Sequence, residues 1–439
     1  MHATNSAFGN RKQSGGDVFV PANGKRELIV AAHEEAIEHS VQQHQALYSV
    51  PFPSHAPMEP INATARLADG QAELWVPTQN QSGLVADVAR ELGLPPAAVV
   101  LHTTLAGGGF GRRIENDFAL QAVRIARAAG VPVKLIWSRE EDLQHDFYRP
   151  ASAIKLSAGV DAQGLPLALR LDVACESLFD HSRSGAFAAD SLPVDSSGLS
   201  RSNYRSVPTL LAARKVDVGV PVGFWRAVAH SQNGFAYECF IDELAHAAAA
   251  DPLAYRQRLL RPEDSRERRV LDTVAQRSAW HTPPRAGRHR GVALVRANGS
   301  VVAHVVELSV TNATAAAARR RITIHRITTV VDCGIAVNPG GVRAQMEGGV
   351  VFGLTAALMG EITLRNGAVE QSNFHDHPLL TMAQMPALDI TIVPSEDKPG
   401  GVGEEAVGPL APALVNALFA ATGQRVRELP LVRAGFDLA

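Results

Sequence analysis

The chain carries a glycine-rich loop near its C-terminal end, and the loop reads Pro399-Gly400-Gly401-Val402-Gly403-Glu404-Glu405-Ala406-Val407-Gly408-Pro409. Leucines at 410, 414 and 418 then recur every four residues, which predicts a helix directly after the loop. Glycines leave room for another group to approach the backbone, and the helix gives Glu404 a rigid support. A carboxylate held in this way suits general-base chemistry. The same residues also fit a helix N-terminal glutamate that is stabilised by the helix dipole.

The composition is that of a globular protein with a sizeable core. The 439 residues predict two or three domains, and 46% of them are hydrophobic while 20% are charged. The net charge of −2, from 42 basic and 44 acidic residues, gives no overall field that would attract nucleic acid, so we expect no nucleic-acid partner. The three cysteines are far apart and cannot ligate an iron–sulfur cluster or a zinc ribbon unaided: Cys175, Cys239 and Cys333.

Targeting signals are not visible in the sequence. No run approaches the roughly 18 consecutive apolar residues of a membrane helix, so we predict no membrane segment. The N-terminus lacks a basic cluster followed by an apolar run, so no signal peptide is predicted, and the compartment is cytoplasmic or periplasmic. Residues 1–46 are interpreted as a polar N-terminal tail or the remnant of a larger protein. Residues 180–206 are predicted to form a long surface loop, typical of a functional lid or of a mobile loop.

Gln79 lies between a predicted strand, residues 72–76, and a predicted helix with Leu84, Val88 and Leu92 on one face. Polar residues at such junctions often face a ligand, because a rigid scaffold holds the loop. Gln79 fits a solvated turn residue equally well.

A second glycine cluster, Ala106-Gly107-Gly108-Gly109-Phe110-Gly111-Arg112-Arg113, lies between a short strand and a helix over 117–129. Strand, glycine loop and helix in this order point backbone N–H groups at an anion. The cluster is not a dinucleotide fingerprint, because Arg112 stands where the third glycine belongs. The alternative is a tight turn with solvated arginines.

One further motif precedes a predicted helix, and another lies within one. Arg226, beside Trp225, binds an anion or stacks on an aromatic ring, or else is a structural arginine that caps carbonyls. Gln345 opens the run Gln345-Met346-Glu347-Gly348-Gly349, in which paired helical glycines indicate close approach by a neighbour. The run 375–377 (His-Asp-His) lacks a third and fourth ligand at suitable spacing and is interpreted as an ordinary loop.

Taken in order, five motifs resemble the large subunit of the molybdenum hydroxylases, the xanthine dehydrogenase and aldehyde oxidase superfamily. They are Thr78-Gln79-Asn80, Gly107-Gly108-Gly109-Phe110-Gly111, Trp225-Arg226, Gln345-Met346-Glu347-Gly348 and Gly401-Val402-Gly403-Glu404. The resemblance covers roughly residues 47–439. Four further runs look like the isoquinoline 1-oxidoreductase beta-subunit branch: Ser54-His55-Ala56-Pro57-Met58-Glu59-Pro60, Gly223-Phe224-Trp225-Arg226, His230-Ser231-Gln232-Asn233 and Gln371-Ser372-Asn373-Phe374-His375-Asp376.

The resemblance implies a molybdenum atom that is held through a pyranopterin, in bacteria usually the cytosine dinucleotide form, and not by protein side chains. Glu404 matches the family's general base, Gln79 a glutamine that hydrogen-bonds an oxo ligand, and Gln345 a pterin-binding glutamine. Arg226 matches the residue whose backbone contacts the cofactor. The remaining cofactor-binding residues implied are glycines and one aromatic residue: Gly108, Gly109, Phe110, Gly111 and Gly403.

The predicted fold is α+β, with two elongated cofactor-binding domains of mixed sheets and helices. The first spans residues 47–262, and the second, residues 263–439, carries the catalytic glutamate. The family's Gly-Gln-Gly cofactor loop and small hammerhead domain are not found. This indicates a truncated product or a split subunit, with a separate polypeptide supplying the missing N-terminal part. Glu405 stands where the family usually has proline, and its charge is expected to raise the pKa of Glu404.

The predicted function is hydroxylation of an electron-poor carbon of an isoquinoline-type N-heterocycle, a small-molecule substrate, with oxygen derived from water. Electrons would leave through an iron–sulfur small subunit, since the three scattered cysteines cannot carry the clusters. Two alternatives stay open: aldehyde oxidation to a carboxylic acid by the same site, and an inactive, cofactor-free fragment or scaffold.

Overall fold

The structure is a computed structural model that describes residues 17–19, 34–178, 198–199, 204, 207–311 and 319–439. The predicted surface excursion over 180–206 lies outside the described residues, apart from 198–199 and 204. Most of the predicted N-terminal tail also lies outside them.

The described residues form a mixture of strands and helices, which confirms the α+β prediction. The strands are β1 Asp17–Phe19, β2 Gln42–Val50, β3 Asn62–Ala68, β4 Gln71–Val76, β5 Val99–Thr103, β6 Val133–Ile136, β7 Ser152–Val160, β8 Pro166–Cys175, β9 Thr209–Lys215, β10 His289–Ala297, β11 Ser300–Thr311, β12 Arg320–Asp332, β13 Leu364–Arg365, β14 Ala368–Val369, β15 Ala387–Ile392 and β16 Phe436–Leu438. The α-helices are α1 Gln81–Leu92, α2 Asp117–Ala129, α3 Arg139–Gln144, α4 His230–Ala247, α5 Pro252–Arg258, α6 Ser265–Arg277, α7 Pro339–Leu358 and α8 Leu410–Thr422. Single 3₁₀ turns occur at Pro96–Ala98, Arg112–Ile114 and Met382–Gln384.

The strands form three larger sheets and one small hairpin. Their orders are β1-β9-β8-β7-β2, β5-β4-β3-β6 and β10-β11-β12-β15, with β16 also paired to β12 and β13 paired to β14. The larger sheets are mixed. Strand β8 runs parallel to β9 and β12 runs parallel to β15, whereas the hairpins in these sheets are antiparallel. Hairpins close at residues 69–70, an Asp-Gly pair, and at residues 161–164.

The sheet β5-β4-β3-β6 explains why two of the motifs meet. Strands β4 and β5 are parallel neighbours, so the loops that follow them leave the same edge of the sheet. The loop after β4 carries Gln79, and the loop after β5 carries the glycine cluster 107–111. Helices α1 and α2 then pack against this sheet through a separate apolar core.

The sheet β10-β11-β12-β15 supports the C-terminal loop. Helix α8 packs against β10, β11 and α4, so closely that a Cβ on Gly291 would lie 2.1 Å from the Ala417 nitrogen. Helix α4 is buried nearly all round, since it also contacts β2 and β7 of the first sheet. One apolar core therefore runs from the first sheet to the third.

Strand β2 begins at Gln42, ahead of the predicted first domain at residue 47. The predicted domain boundaries and the predicted lack of a hammerhead domain stay predictions. Among the helices in the described part of the chain, none is long and apolar enough to cross a membrane.

Candidate active site

The loop that carries Glu404 is fixed to the turn between β10 and β11. The Gly401 N–H donates to the Asn298 carbonyl at 2.8 Å, and the Ser300 hydroxyl donates to the Gly401 carbonyl at 2.5 Å. A Cβ on Gly401 would lie 2.5 Å from the Glu405 carboxylate, which leaves no room for a side chain. Glycine at this position therefore permits a close approach of the two loops.

Glu404 is half-buried, and its carboxyl group is in an environment that disfavours its charge. Burial raises the pKa of Glu404, and the negative charge of Glu405 raises it further, as expected from the sequence. The Ala227 N–H, the Arg226 guanidinium and the Asn298 amide act in the opposite direction. The helix N-terminal interpretation is wrong, because α8 begins only at Leu410 and the dipole acts within the first turn.

Arg226 joins three of the predicted site residues. Its Nε donates to the Gly403 carbonyl at 2.7 Å, and its Nη2 donates to the carbonyl and to the side-chain Oε1 of Gln345 at 3.2 and 3.0 Å. The side chain therefore caps carbonyls, as one of the two sequence interpretations of Arg226 proposed. These hydrogen bonds connect the Glu404 loop to α7. Its guanidinium also lies 5.9 Å from the ring centroid of Phe110.

The backbone after Arg226 is in an unusual conformation. Ala227 and Val228 have φ values of 75° and 46°, a region that costs L-residues roughly 1–2 kcal/mol each. The turn is closed by the Val228 N–H, which donates to the Trp225 carbonyl at 2.6 Å. It directs the Ala227 N–H to the Glu404 carboxyl group. Strain of this kind is typical of functional sites.

Three stacked aromatic rings connect the glycine loop to the Arg226 loop. The Phe110 and Phe352 ring centroids are 4.6 Å apart, and those of Phe352 and Trp225 are 4.5 Å apart. Phe352 lies in α7, seven residues after Gln345 and hence on the same face of the helix. The sequence interpretation missed Phe352, and this helical spacing is the signal that would have found it.

Gln79 contacts the glycine loop directly. Its Oε1 accepts from the Gly111 N–H at 3.2 Å, and a Cβ on Gly109 would lie 2.5 Å from the same oxygen. The side chain of Gln79 is otherwise exposed. Gln79 and Gly109–Gly111 therefore form one unit at the edge of the sheet.

The glycine loop is in turn pressed against the Arg226 loop. A Cβ on Gly111 would lie 1.6 Å from the Phe224 carbonyl oxygen, and the φ of Gly111 is 108°. Only glycine fits this contact, since a side chain is excluded both by conformation and by space. Phe224 precedes Trp225 and Arg226, so the contact fixes the position of the glycine loop relative to the loop that carries Arg226.

The interpretation of Arg112 and Arg113 as solvated is wrong. Both are buried: Arg112 pairs with Asp117 at 2.8 Å, and Arg113 pairs with Glu59 at 2.7 Å. Glu59 also accepts from the Gly107 N–H at 2.9 Å. Burial lowers the pKa of Arg113, and Glu59 opposes that shift. The two arginines are therefore held by carboxylates, Asp117 at the start of α2 and Glu59 in the segment before β3.

His55 is a further positioning group that the sequence interpretation used only as part of a motif. Its Nε2 donates to the Phe224 carbonyl at 2.8 Å, and its Nδ1 lies 2.9 Å from the Asp146 carboxylate. The Trp225 indole N–H donates to the Ser54 carbonyl at 3.1 Å. Burial alone would raise the pKa of Asp146, but His55 holds it well below its usual range. The segment around His55 therefore anchors the loop that leads to Arg226.

The predicted site residues thus form two contacting groups. Gln345, Arg226, Gly403 and Glu404 belong to the first, and Gln79 with residues 108–111 belongs to the second. Phe110 joins them through the stacked rings and the Arg226 guanidinium. Residues far apart in the chain are therefore brought to one place.

Two family models match the chain. Residues 22–260 match the first molybdopterin cofactor-binding domain family, and residues 241–386 match the second. The chain belongs to the molybdopterin cofactor-binding family of the molybdenum hydroxylases.

Several known proteins resemble the chain over most of its length. The beta subunit of isoquinoline 1-oxidoreductase from Brevundimonas diminuta is 33% identical, over 92% of this chain and 51% of that protein. A membrane-bound aldehyde dehydrogenase (pyrroloquinoline-quinone) from Gluconacetobacter polyoxogenes is 28% identical, over 86% of this chain and 52% of that protein. The crystal structure of quinoline 2-oxidoreductase from Pseudomonas putida 86 has a TM-score of 0.73 at 15% identity, over 91% of this chain and 77% of that one. The chain spans about half the length of the two curated relatives.

The residues of the site fit the cofactor of this family. Gln79 and Gln345 present exposed amide side chains, and a Cβ on Gly403 would meet no atom within 4 Å, so there is open space beside the Glu404 loop. The backbone at Gly108 and Gly109 is partly exposed and carries no side chain. Neutral amides and bare backbone suit a polar, rigid ring system that carries its own metal.

His304, in β11, contacts the backbone of the loop that carries Glu404, and its burial predicts that the stability of the protein depends on pH. Its Nε2 donates to the Ala406 carbonyl at 2.8 Å, and its Nδ1 lies 2.9 Å from the Thr329 hydroxyl. Burial lowers the pKa of His304 from 6.5 to about 4. As the pH falls, His304 is therefore protonated in the unfolded chain before it is protonated in the folded protein. The contribution of the neutral imidazole to the free energy of unfolding is fully present above pH 6.5. It is lost as the pH drops toward 4, by up to about 3 kcal/mol.

We expect His304→Gln to be less stable than the wild type at pH 7.5 and to show a weaker loss of stability between pH 6.5 and 4.5. Urea unfolding at several pH values measures both effects. His375→Gln is the control, because the His375 side chain is 73% exposed. Parallel pH profiles for the wild type and His304→Gln would contradict the prediction.

Proposed function

We propose that the chain is the catalytic, molybdopterin-binding part of a molybdenum hydroxylase, with Glu404 as the general base. The observation that carries the proposal is the environment of Glu404. Its carboxyl is half-buried and its pKa is raised, on a loop that Arg226 ties to Gln345. A base with a raised pKa accepts a proton more readily once it is ionised.

The cofactor, when bound, supplies the redox-active metal for hydroxylation of a carbon by oxygen derived from water. Gln79 and Gln345 would orient it through their amides, and the backbone at 108–111, Arg226 and Gly403 would enclose it. We propose the cytosine dinucleotide form of the pyranopterin. The polypeptide then has to orient the groups and to move protons.

Glu404 accepts the proton at its carboxylate, and its neighbours keep that carboxylate in place. The Ala227 N–H and the Asn298 amide are the donors that face it. We also propose that the two cofactor-binding domains meet at residues 262 and 263, so that Arg226 and Glu404 lie in different domains.

An electron-accepting partner follows from the cysteines of the chain. All three cysteines are buried and separate, so we propose that an iron–sulfur small subunit takes the electrons.

The substrate proposed is an N-heterocycle of the isoquinoline type, because a relative 33% identical over 92% of this chain is named for isoquinoline oxidation. Aldehyde oxidation is the second candidate, since a relative 28% identical over 86% of this chain is named an aldehyde dehydrogenase. Both use the same general base.

The test is co-expression of the chain with the reading frames adjacent to its gene, followed by molybdenum and nucleotide analysis of the purified complex. We expect bound molybdenum, released cytosine nucleotide, and oxidation of isoquinoline faster than of benzaldehyde. Faster oxidation of benzaldehyde would select the aldehyde function. A complex without molybdenum would contradict the proposal and indicate a scaffold.

A further inference from the structure

Glu405 is a buried carboxylate with contacts of its own. It is 2% exposed, its Oε2 accepts from the Glu404 backbone N–H at 2.9 Å, and its Oε1 accepts from the Asn298 side-chain amide at 2.9 Å. Two donors thus fix this side chain directly beneath the Glu404 loop. A carboxylate without such partners would be costly at this depth.

Asn298 contacts both carboxyl groups. Its Nδ2 lies 2.9 Å from the Glu405 Oε1 and 3.5 Å from the Glu404 Oε2. Asn298 and Gly299 form the two-residue turn between β10 and β11, with φ values of 46° and 83°. Asn-Gly is favoured in this turn type, and the turn holds the amide between the two acids.

The groups that face Glu404 come from three further parts of the chain. Arg226 and the Ala227 N–H come from the loop before α4, His230 is the first residue of α4, and Asn298 comes from the β10–β11 turn. Of the nearby charges, Glu405 raises the pKa of Glu404 and Arg226 lowers it. Glu405 is therefore the acidic neighbour that opposes ionisation of Glu404.

We propose that Glu405 is a positioning residue for Glu404 and that, with the Asn298 amide, it sets the pH range in which Glu404 can accept a proton. This inference rests on the proposed role of Glu404 as base. It gives a function to the carboxylate at the position after the base, which the resemblance to the family leaves unexplained. Because Asn298 donates to both carboxylates, removal of the Glu405 charge or of the Asn298 donor is expected to change the titration of Glu404.

Two variants shift the titration of Glu404 in opposite directions. Glu405→Gln removes a negative charge and keeps an acceptor for Asn298, so the midpoint of the Glu404 titration falls. Asn298→Asp keeps the turn, since aspartate also suits this position, but replaces a donor by a third acid, so the midpoint rises. A side chain with a merely structural role would not give opposite shifts.

The measurement is carbon-13 NMR of the full chain labelled at the glutamate carboxyl carbon, with Glu404→Gln used to assign the Glu404 signal. This readout needs no activity and no cofactor. Glu396→Gln, at an exposed position ahead of the loop, is the control and is expected to leave the midpoint unchanged. An unchanged or raised midpoint in Glu405→Gln, or an unchanged or lowered one in Asn298→Asp, would overturn the inference.

The same variants in the loaded complex separate this inference from the proposed function. We expect the acidic limb of the kcat/KM profile to move to lower pH in Glu405→Gln and to higher pH in Asn298→Asp. If the NMR midpoints move as expected but Glu404→Gln keeps full activity, the base assignment fails while the coupling of the two carboxyls stands. If the midpoints do not move, the coupling itself is refuted whatever the activity.

Discussion

Glu404→Gln is expected to abolish turnover in the loaded complex and to leave its molybdenum content unchanged. Glutamine keeps the shape of the side chain but cannot accept the proton, and loss of a general base typically costs about 10²–10⁴-fold in rate. The loop is held through the Gly401 and Gly403 backbone, and glutamine keeps an acceptor for the Ala227 N–H and the Asn298 amide. Cofactor binding should therefore survive.

Steady-state kinetics and metal analysis of the same preparation measure both quantities. Glu396→Gln serves as the matched control, because it removes an exposed carboxylate and should retain wild-type activity. Full activity in Glu404→Gln, or abolition of turnover at every pH by Glu405→Gln instead, would show that the base is wrongly assigned.

Gly111→Ala is expected to lower both stability and cofactor content. The added Cβ would lie 1.6 Å from the Phe224 carbonyl oxygen, and a φ of 108° is unfavourable for alanine. Strain and overpacking together predict a loss of about 2–4 kcal/mol in the free energy of unfolding. The loop would move away from Phe224, and the cofactor cradle would open.

Gly130→Ala is the control for the conformational part of this effect. Gly130 also has positive φ, 68°, but a Cβ there would meet no atom within 4 Å. We expect a loss of only about 1 kcal/mol and normal molybdenum content. Equal losses in the two variants, or wild-type molybdenum content in Gly111→Ala, would contradict the role of the Gly111–Phe224 contact.

Sequence patterns predicted the fold class and most of the local elements. The α+β assignment is correct because periodicity and turn signals are local: an Asp-Gly pair at 69–70 closes a hairpin, and Asp251 caps α5 through the Leu253 and Ala254 N–H groups. The parallel pairing of β4 with β5 is not local. It is what brings Gln79 to the glycine loop, and no signal in the sequence specifies it.

Most of the site contacts were beyond sequence reasoning for the same reason. Arg113 has 0% exposure because Glu59, 54 positions earlier, pairs with it. His55 reaches the Phe224 carbonyl across 169 positions. Side chains of this kind have no sequence periodicity, since their partners are set by tertiary packing.

Asn298 is a different case, because its signal was present. An Asn-Gly pair between two apolar runs is a strong hairpin signal, and the tip of that hairpin contacts the Glu404 loop. The effect of Glu405 on the pKa of Glu404 was predicted from adjacency alone. The effect of adjacent charges can be predicted from the sequence alone, whereas the position of the Asn298 amide between the two carboxylates depends on the fold.

We propose that separate glycine-bearing turns enclose one molybdenum centre, with Glu404 beside it. A molybdenum-edge anomalous difference map from crystals of the loaded complex would give the position of the metal. We predict a single peak between the 108–111 loop and the Glu404 carboxyl group. A peak elsewhere in the chain, or no peak near either loop in the loaded complex, would refute this placement of the metal.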